Sequence, residues 1–286
     1  DLRAKSGIAE MGQPSLKNLQ FVQIDEFYPI SSHQHNSFYN YVNKYYLGGF
    51  GLDPKNALLI NSDTIPLSGG CHFSEVFPDS RVDLTLRNRD PKSQLEKAQQ
   101  ESIFAIDNWC SEYEQRIRDK GGIGFFLGGI GPDGHIAFNV RGSDHHSTTR
   151  LTKTNFETQA VAAGDLGGIE ISRNRLVITI GLSTITQKPD AVAIIIAAGE
   201  AKGNVVRNAL EEEASNHFPA TALHKLKRAR FYLTTGAASK LNDSVEEYYR
   251  QGDWKQEKTD RAVLDLVVRL DKYGHHLTLN DLKYDE

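Results

Sequence analysis

The chain has 286 residues, of which 39% are apolar, with 24 Gly and only 9 Pro; that excludes a disordered protein and leaves room for one large domain or two small ones. Lys and Arg number 33 against 37 Asp and Glu, a formal charge of −4 that gives no electrostatic reason to expect nucleic acid or a membrane as partner. Two scattered cysteines, Cys71 and Cys110, lack any CxxC spacing and fit a reducing, cytoplasmic setting, and no apolar run reaches the ~18 residues of a membrane span. The first residues, Asp1-Leu2-Arg3-Ala4-Lys5, carry neither a Met nor a signal-peptide core and read as the start of a piece cut from something longer.

In chain order, residues 19–24 read as a strand that delivers Asp25-Glu26 at its C-terminal end. Residues 37–47 carry Phe38, Tyr41, Val42 and Tyr45 at helical spacing, and residues 56–60 form a short apolar strand. The stretch 71–95 holds Asp79, Arg81, Asp83, Arg87, Arg89, Asp90 and Lys92 and reads as a surface excursion. A long amphipathic helix follows over 94–120, with Ile103, Ile106, Trp109 and Ile117 on one side. Strands are expected at 123–127, 176–180, 191–198 and 230–234, with helices over about 201–213 and 259–273. Strands that alternate with helices and are nearly continuous in apolar residues predict an α/β fold, with a mostly parallel sheet covered by helices on both faces. In such sheets ligands bind beyond the carboxyl ends of the strands.

The loop Gly129-Ile130-Gly131-Pro132-Asp133-Gly134 matches the dinucleotide fingerprint G-x-G-x-x-G. An Asp inside it would repel a pyrophosphate, and residues 139–144 do not support a long crossover helix, so a dinucleotide site is not expected. A plain glycine turn explains the glycines but not Asp133 with His135, a carboxylate and an imidazole presented from one tight turn at a strand end. An imidazole so placed can exchange protons near neutral pH. Asp25-Glu26 is a second acidic pair, for which a surface helix cap is the plainer alternative. Lys202 lies where a strand becomes a helix, a place suited to a phosphate and equally to a solvated lysine. The pairs His33/His35, His145/His146 and His275/His276 lack metal-ligand spacing, so no metal and no cofactor is expected. No G-x-S-x-G elbow marks a serine nucleophile.

Asp25-Glu26-Phe27 with Ser37-Phe38-Tyr39 resembles the acidic loop and helix of the glucosamine-6-phosphate deaminases. The run from Gly128 through Gly134-His135-Ile136-Ala137-Phe138-Asn139 is similar to that family's catalytic loop over its whole length. Residues 147–151, 179–185, 199–202 and Asn216-His217 continue the resemblance in order, over about 15–235, and the wider superfamily includes the 6-phosphogluconolactonases. The resemblance implies a Rossmann-like, three-layer fold and a metal-independent enzyme whose partner is a small sugar phosphate, and it is compatible with a homo-oligomer. It implies that Asp25 moves a proton between C1 and C2 of the open-chain sugar and that His135, supported by Asp133, opens the ring. Lys202 would hold the phosphate, with Glu26, Gly129, Gly131, Gly134 and Arg150 lining the substrate site. Residues 154–174 fall where the family has a mobile lid. The chain departs from the family at Val140, where a Glu is usual, and at Gly164, where a lid arginine is. Its counterpart of the family's N-terminal strand and phosphate loop would lie upstream of Asp1. A single domain over 1–286 is expected, with 259–286 as its C-terminal helix and tail. An isomerase/deaminase of an amino-sugar phosphate is the first expectation; a lactonase-like hydrolase and a non-catalytic sugar-phosphate sensor are the alternatives.

Overall fold

A computed structural model describes residues 16–270 and residue 278; Asp1 to Lys5, the His275/His276 pair and the end of the expected 259–273 helix lie outside them. The strands form three ladders. β1 (Phe21–Val22) pairs in parallel with β3 (Ala57–Leu58). β2 (Asp25–Tyr28), β6 (Leu176–Thr179) and β5 (Arg150–Lys153) form an antiparallel sheet in that order, with Thr179 opposite both Asp25 and Arg150. β4 (Phe125–Gly129), β7 (Val192–Ala197) and β8 (Arg228–Leu233) form a parallel sheet. The α/β class and the parallel strands flanked by helices are as the apolar runs predict. The antiparallel ladder is the addition, and β5, with its mixed Arg-Leu-Thr-Lys sequence, was not foreseen.

Helix α1 runs over residues 38–50, wound more widely as a π-helix across Val42–Leu47. Helix α2 (Gln94–Asp119) starts where the Ser93 hydroxyl accepts from the Glu96 N–H at 3.1 Å, and it buries Ile103, Ile106, Cys110, Tyr113 and Ile117 at alternating spacings of three and four. Each such isoleucine taken from water contributes about 1.5–3 kcal/mol. The Tyr113 hydroxyl, wholly buried, lies 2.7 Å from the Gln23 carbonyl and 3.0 Å from the Leu58 carbonyl, which fixes α2 under the β1–β3 ladder. The same cluster takes in Phe126, Ala193 and Ile195 from the parallel sheet, so one core underlies both parallel ladders.

The expected lid segment folds as α3 (Phe156–Leu166) and α4 (Ile169–Ser172), joined at Gly167 and Gly168, both with positive φ. The chain continues through α5 (Leu182–Thr186), α6 (Gly203–Glu211), α7 (Asn242–Arg250) and α8 (Gln256–Arg269). The stretch 71–95 is no surface excursion. Val76, Phe77, Val82 and Leu86 are all buried in the main core, and the Arg87 guanidinium clasps both oxygens of Asp107 on α2. Four apolar anchors spread over eleven positions show neither helical nor strand periodicity, so the charges between them dominate the pattern.

On its other face the parallel sheet keeps Phe125 and Leu127 of β4, Ile196 of β7 and Tyr232 of β8 more than half exposed. Parallel sheets are ordinarily covered on both faces, and apolar side chains gathered in the open on one face favour association. The double variant Phe125→Thr/Leu127→Thr is expected to lower binding of an apolar dye and self-association. Its Tm should move by no more than about 3 °C, because exposed positions contribute little to stability. A larger fall in Tm would mean that this face is covered in solution.

Candidate active site

Three strand ends supply the site. The chain leaves β1, crosses residues 23 and 24, and enters the antiparallel sheet at Asp25, which therefore stands at the junction of two sheets. β4 opens into the 130–139 loop, and β7 opens into the Gly199–Lys202 turn. These last two meet at the carboxyl edge of the parallel sheet, where Lys202 Nζ donates to the Ile130 carbonyl at 2.7 Å.

Within the loop, Asp133 is buried, with 2% of its surface exposed, and its Oδ1 lies 2.5 Å from His135 Nδ1. Its Oδ2 accepts from the Arg141 N–H at 3.0 Å and from the Asn155 side-chain amide at 2.5 Å. Burial alone would raise the Asp133 pKa. The hydrogen bond and charge of His135 and the backbone donor outweigh it and hold the group at about 2. Asp133 is therefore a carboxylate at any working pH. It fixes Nδ1 as the bonded nitrogen of His135 and leaves Nε2 without a hydrogen-bonding partner among the described residues.

The loop's shape depends on Gly131. A Cβ there would collide with the His135 ring, which lies against the Gly131 backbone. The Gly131 N–H donates to the His135 carbonyl at 2.9 Å, and the Gly134 N–H, in a residue with φ of 84°, donates to the Gly131 carbonyl at 3.1 Å. Gly129 closes β4 opposite Ile196. These glycines shape the turn, and the amides of Gly131 and Gly134 are used within it.

Asp25 and His135 share one edge of the molecule. The Phe138 N–H donates to Thr179 Oγ1 at 3.0 Å, and Thr179 is the ladder partner of Asp25. The Phe138 ring lies 5.3 Å from Phe27 and 5.7 Å from His135. Among the described residues no hydrogen bond reaches the Asp25 carboxylate. Burial of that carboxyl, and then the charge of Glu26, push its pKa up to about 8.

Glu26 and Arg150 face inward. Glu26 accepts from the N–H groups of Phe27, Phe38 and Tyr39 and from the Ser37 hydroxyl, at 2.7 to 3.1 Å. Four donors fill the four acceptor positions of a carboxylate, so Glu26 anchors the start of α1 and sets a charge beside Asp25. Burial raises its pKa, and those hydrogen bonds pull it back. The Arg150 guanidinium bonds Asn139 Oδ1 at 2.8 Å and Ser143 Oγ at 3.1 Å, while the Asn139 amide donates to Ile136 and Ile180 carbonyls. Arg150 thus braces the far end of the 130–139 loop. Burial lowers the Lys202 pKa, opposed by the Asp133 charge.

Two residues at the site had no sequence signal for their part in it. Asn155 bonds Asp133, and Thr158 Oγ1 lies 3.3 Å from His135 Nδ1. Asn before a helical stretch is a readable N-cap, but nothing in the sequence shows what its amide touches. Among the described residues no cluster of three metal-ligating side chains is present, and no helix is long and apolar enough to cross a membrane.

The fold is that of an α/β protein whose Asp133–His135 turn lies at the carboxyl edge of a parallel sheet. In sequence the chain is similar to the glucosamine-6-phosphate deaminase of Caenorhabditis elegans, with 33% identity over 141 residues, 49% of this chain and 52% of the relative. The chain thus spans about half the length of that curated relative. In structure it is similar to a monomeric glucosamine-6-phosphate deaminase, with a TM-score of 0.59 and 25% identity over 84% of this chain and 79% of that one. It shares its fold with the 6-phosphogluconolactonase of Leishmania guyanensis, at a TM-score of 0.52 and 17% identity over 82% and 80% of the two chains. No protein-family profile matches the chain. The resemblance to the glucosamine-6-phosphate deaminases, first visible in the Asp25-Glu26-Phe27 and Gly128–Asn139 strings, holds in both sequence and fold.

A raised carboxyl pKa carries a stability signature. Between the ordinary 3.8 and about 8, folded Asp25 keeps a proton that the unfolded chain has released. Folding then takes up a proton, so this group's contribution to stability falls as pH rises through that window and levels off above it. Asp25→Asn removes the titration. The Tm of the variant relative to wild type should therefore rise between about pH 5 and pH 8, by on the order of 5 °C. A Tm difference that stays constant with pH, read by calorimetry, would mean that Asp25 ionises normally.

Proposed function

We propose that the chain is an isomerase/deaminase of an amino-sugar phosphate such as glucosamine 6-phosphate. The observation that carries this reading is the pairing, at one edge, of an isolated carboxyl poised at about 8 with a histidine held by a fully ionised Asp133. General acid–base catalysis works best with groups that titrate near the working pH.

In the proposed reaction, His135 Nε2 takes the proton of the anomeric hydroxyl and returns it to the ring oxygen, which opens the pyranose. Ionised Asp25 then removes the C2 proton, and the electron pair moves through the C1–C2 bond to the aldehyde oxygen. That oxygen takes a proton from the substrate's own ammonium group, which gives a neutral enolamine. Delivery of the C2 proton to C1 leaves an iminium at C2. Water adds there, ammonia leaves, and the 2-keto sugar phosphate remains. Lys202 suits the phosphate: its ammonium has three donors and spends one on Ile130. The lactonase alternative needs only His135 to activate water on a lactone carbonyl and leaves Asp25 without a task.

Incubation with glucosamine 6-phosphate is expected to release ammonia and fructose 6-phosphate in equal amounts. Asp25→Asn should lose roughly 10²–10⁴-fold in kcat, the usual contribution of one general acid or base. Because the base works only when ionised, kcat/KM should fall about tenfold per unit as pH drops below about 8. Absence of ammonia together with hydrolysis of a 6-phosphogluconolactone would replace this reading with the lactonase one.

A further inference from the structure

The fold carries one device that the proposed chemistry does not use. Helix α3 is held on the body by few apolar contacts. Of its eleven residues, Leu166 is buried in a small cluster with Phe27, Ile30 and Val177, and Ala162 is half-buried against it. Phe156 and Val161 point outward, 72% and 68% exposed. A helix with so little buried apolar surface belongs to the less stable parts of a fold. Its N-terminus, however, is tied by two polar contacts to the pair that does the acid–base work.

Asn155 serves at both ends of its amide. Its Oδ1 accepts from the Thr158 N–H at 3.0 Å and caps α3, while its Nδ2 donates to Asp133 Oδ2 at 2.5 Å. Thr158, one residue into the helix's second half-turn and 4% exposed, places its hydroxyl 3.3 Å from His135 Nδ1. The helix start and the histidine are thus hydrogen-bonded through one buried carboxylate. Val140, on the opposite side of the loop sequence, has no polar side-chain atom to offer.

We infer that Asn155 and Thr158 are positioning residues that latch α3 to the Asp133–His135 pair, so that docking of the helix and orientation of the histidine occur together. Displacement of α3 removes one of three donors from the Asp133 carboxylate and the hydroxyl beside Nδ1, and it frees the ring to turn away from the substrate. Coupling of this kind is reciprocal: whatever fixes the histidine also holds the helix. Ring misplacement of about 1 Å can cost ~10²-fold in rate.

The catalytic half of this inference rests on the proposed deaminase reading; the mechanical half does not. Hydrogen exchange tests the latter. In Asp133→Ala the amides of Thr158 and Gln159, which lie in another segment, should exchange at least about tenfold faster than in wild type, as loss of a hydrogen bond to a charged group predicts. Unchanged exchange in the folded variant would overturn the latch. Kinetics test the former through Asn155→Ser, which retains an N-cap side chain too short to reach Asp133. Its kcat should fall about tenfold or more with KM little changed; wild-type kcat would reduce Asn155 to a cap. Asn155→Asp keeps size and cap but sets a second carboxylate against Asp133. Its deficit relative to wild type should shrink as pH falls toward about 5, where the new carboxyl gains a proton to donate. A deficit that does not change with pH would overturn the role of the amide as donor. If wild type releases no ammonia, the function fails while the exchange result still decides the latch.

Discussion

The carboxylate of Asp133 is buried, and a buried charge is tolerated only where donors replace the water it has lost. Its donors are the His135 ring, the Arg141 N–H and the Asn155 amide, and they come from three different places along the chain. The turn that carries it must bring His135 back over Gly131, where no side chain fits. The segment after it must return the Arg141 backbone, and the start of α3 must lay the Asn155 amide alongside. Much of the site's geometry therefore follows from satisfying one charge. A loop of glycines with no such hub would have many conformations; this one has a single anchored form.

The antiparallel ladder supports that hub from the side. Thr179 lies between Asp25 and Arg150 in register, and its hydroxyl accepts from the Phe138 N–H. Asn139, wholly buried, holds the loop's end to Ile180 and meets the Arg150 guanidinium. Phe138, between these two polar attachments, lies against Phe27, Phe38 and His135. The result is a short path from the acidic strand to the histidine, built from backbone register and not from a hydrogen bond between Asp25 and His135.

How much of this was legible in the sequence depended on range. The apolar runs of β4, β6 and β7 and the Ile103–Ile117 stripe are local patterns and were readable as such. Asp133 with His135 was readable because one tight turn holds both. Residues 71–95 misled, since their anchors Phe77 and Leu86 are isolated among charges. Strand β5 was invisible because its partner β6 comes 23 or more residues later and its own composition is mixed. The resemblance implies that Arg150 and Glu26 line the substrate site, but the sequence does not show what they bond within the fold. Their partners, Asn139 and Ser143 in one case and the first amides of α1 in the other, are set by tertiary packing. The Asn155–Asp133 bond spans 22 residues and has no sequence signature at all.

Two aspartates of one site thus end with opposite properties, and the difference is the count of donors around each. Asp133 has three and stays ionised down to about 2; Asp25 has none among the described residues and keeps its proton to about 8. Part of the second shift comes from Glu26, whose charge exists only as far as something stabilises it. Burial works against that charge and raises the Glu26 pKa, and the donors at the start of α1 offset part of that rise. The Ser37 hydroxyl and the Phe38 and Tyr39 amides therefore act on Asp25 at one remove: by favouring ionised Glu26, they disfavour ionised Asp25. A helix N-terminus would ordinarily lower the pKa of a nearby carboxyl. Here its donors are taken up by the neighbouring glutamate, and what reaches Asp25 is the glutamate's negative charge.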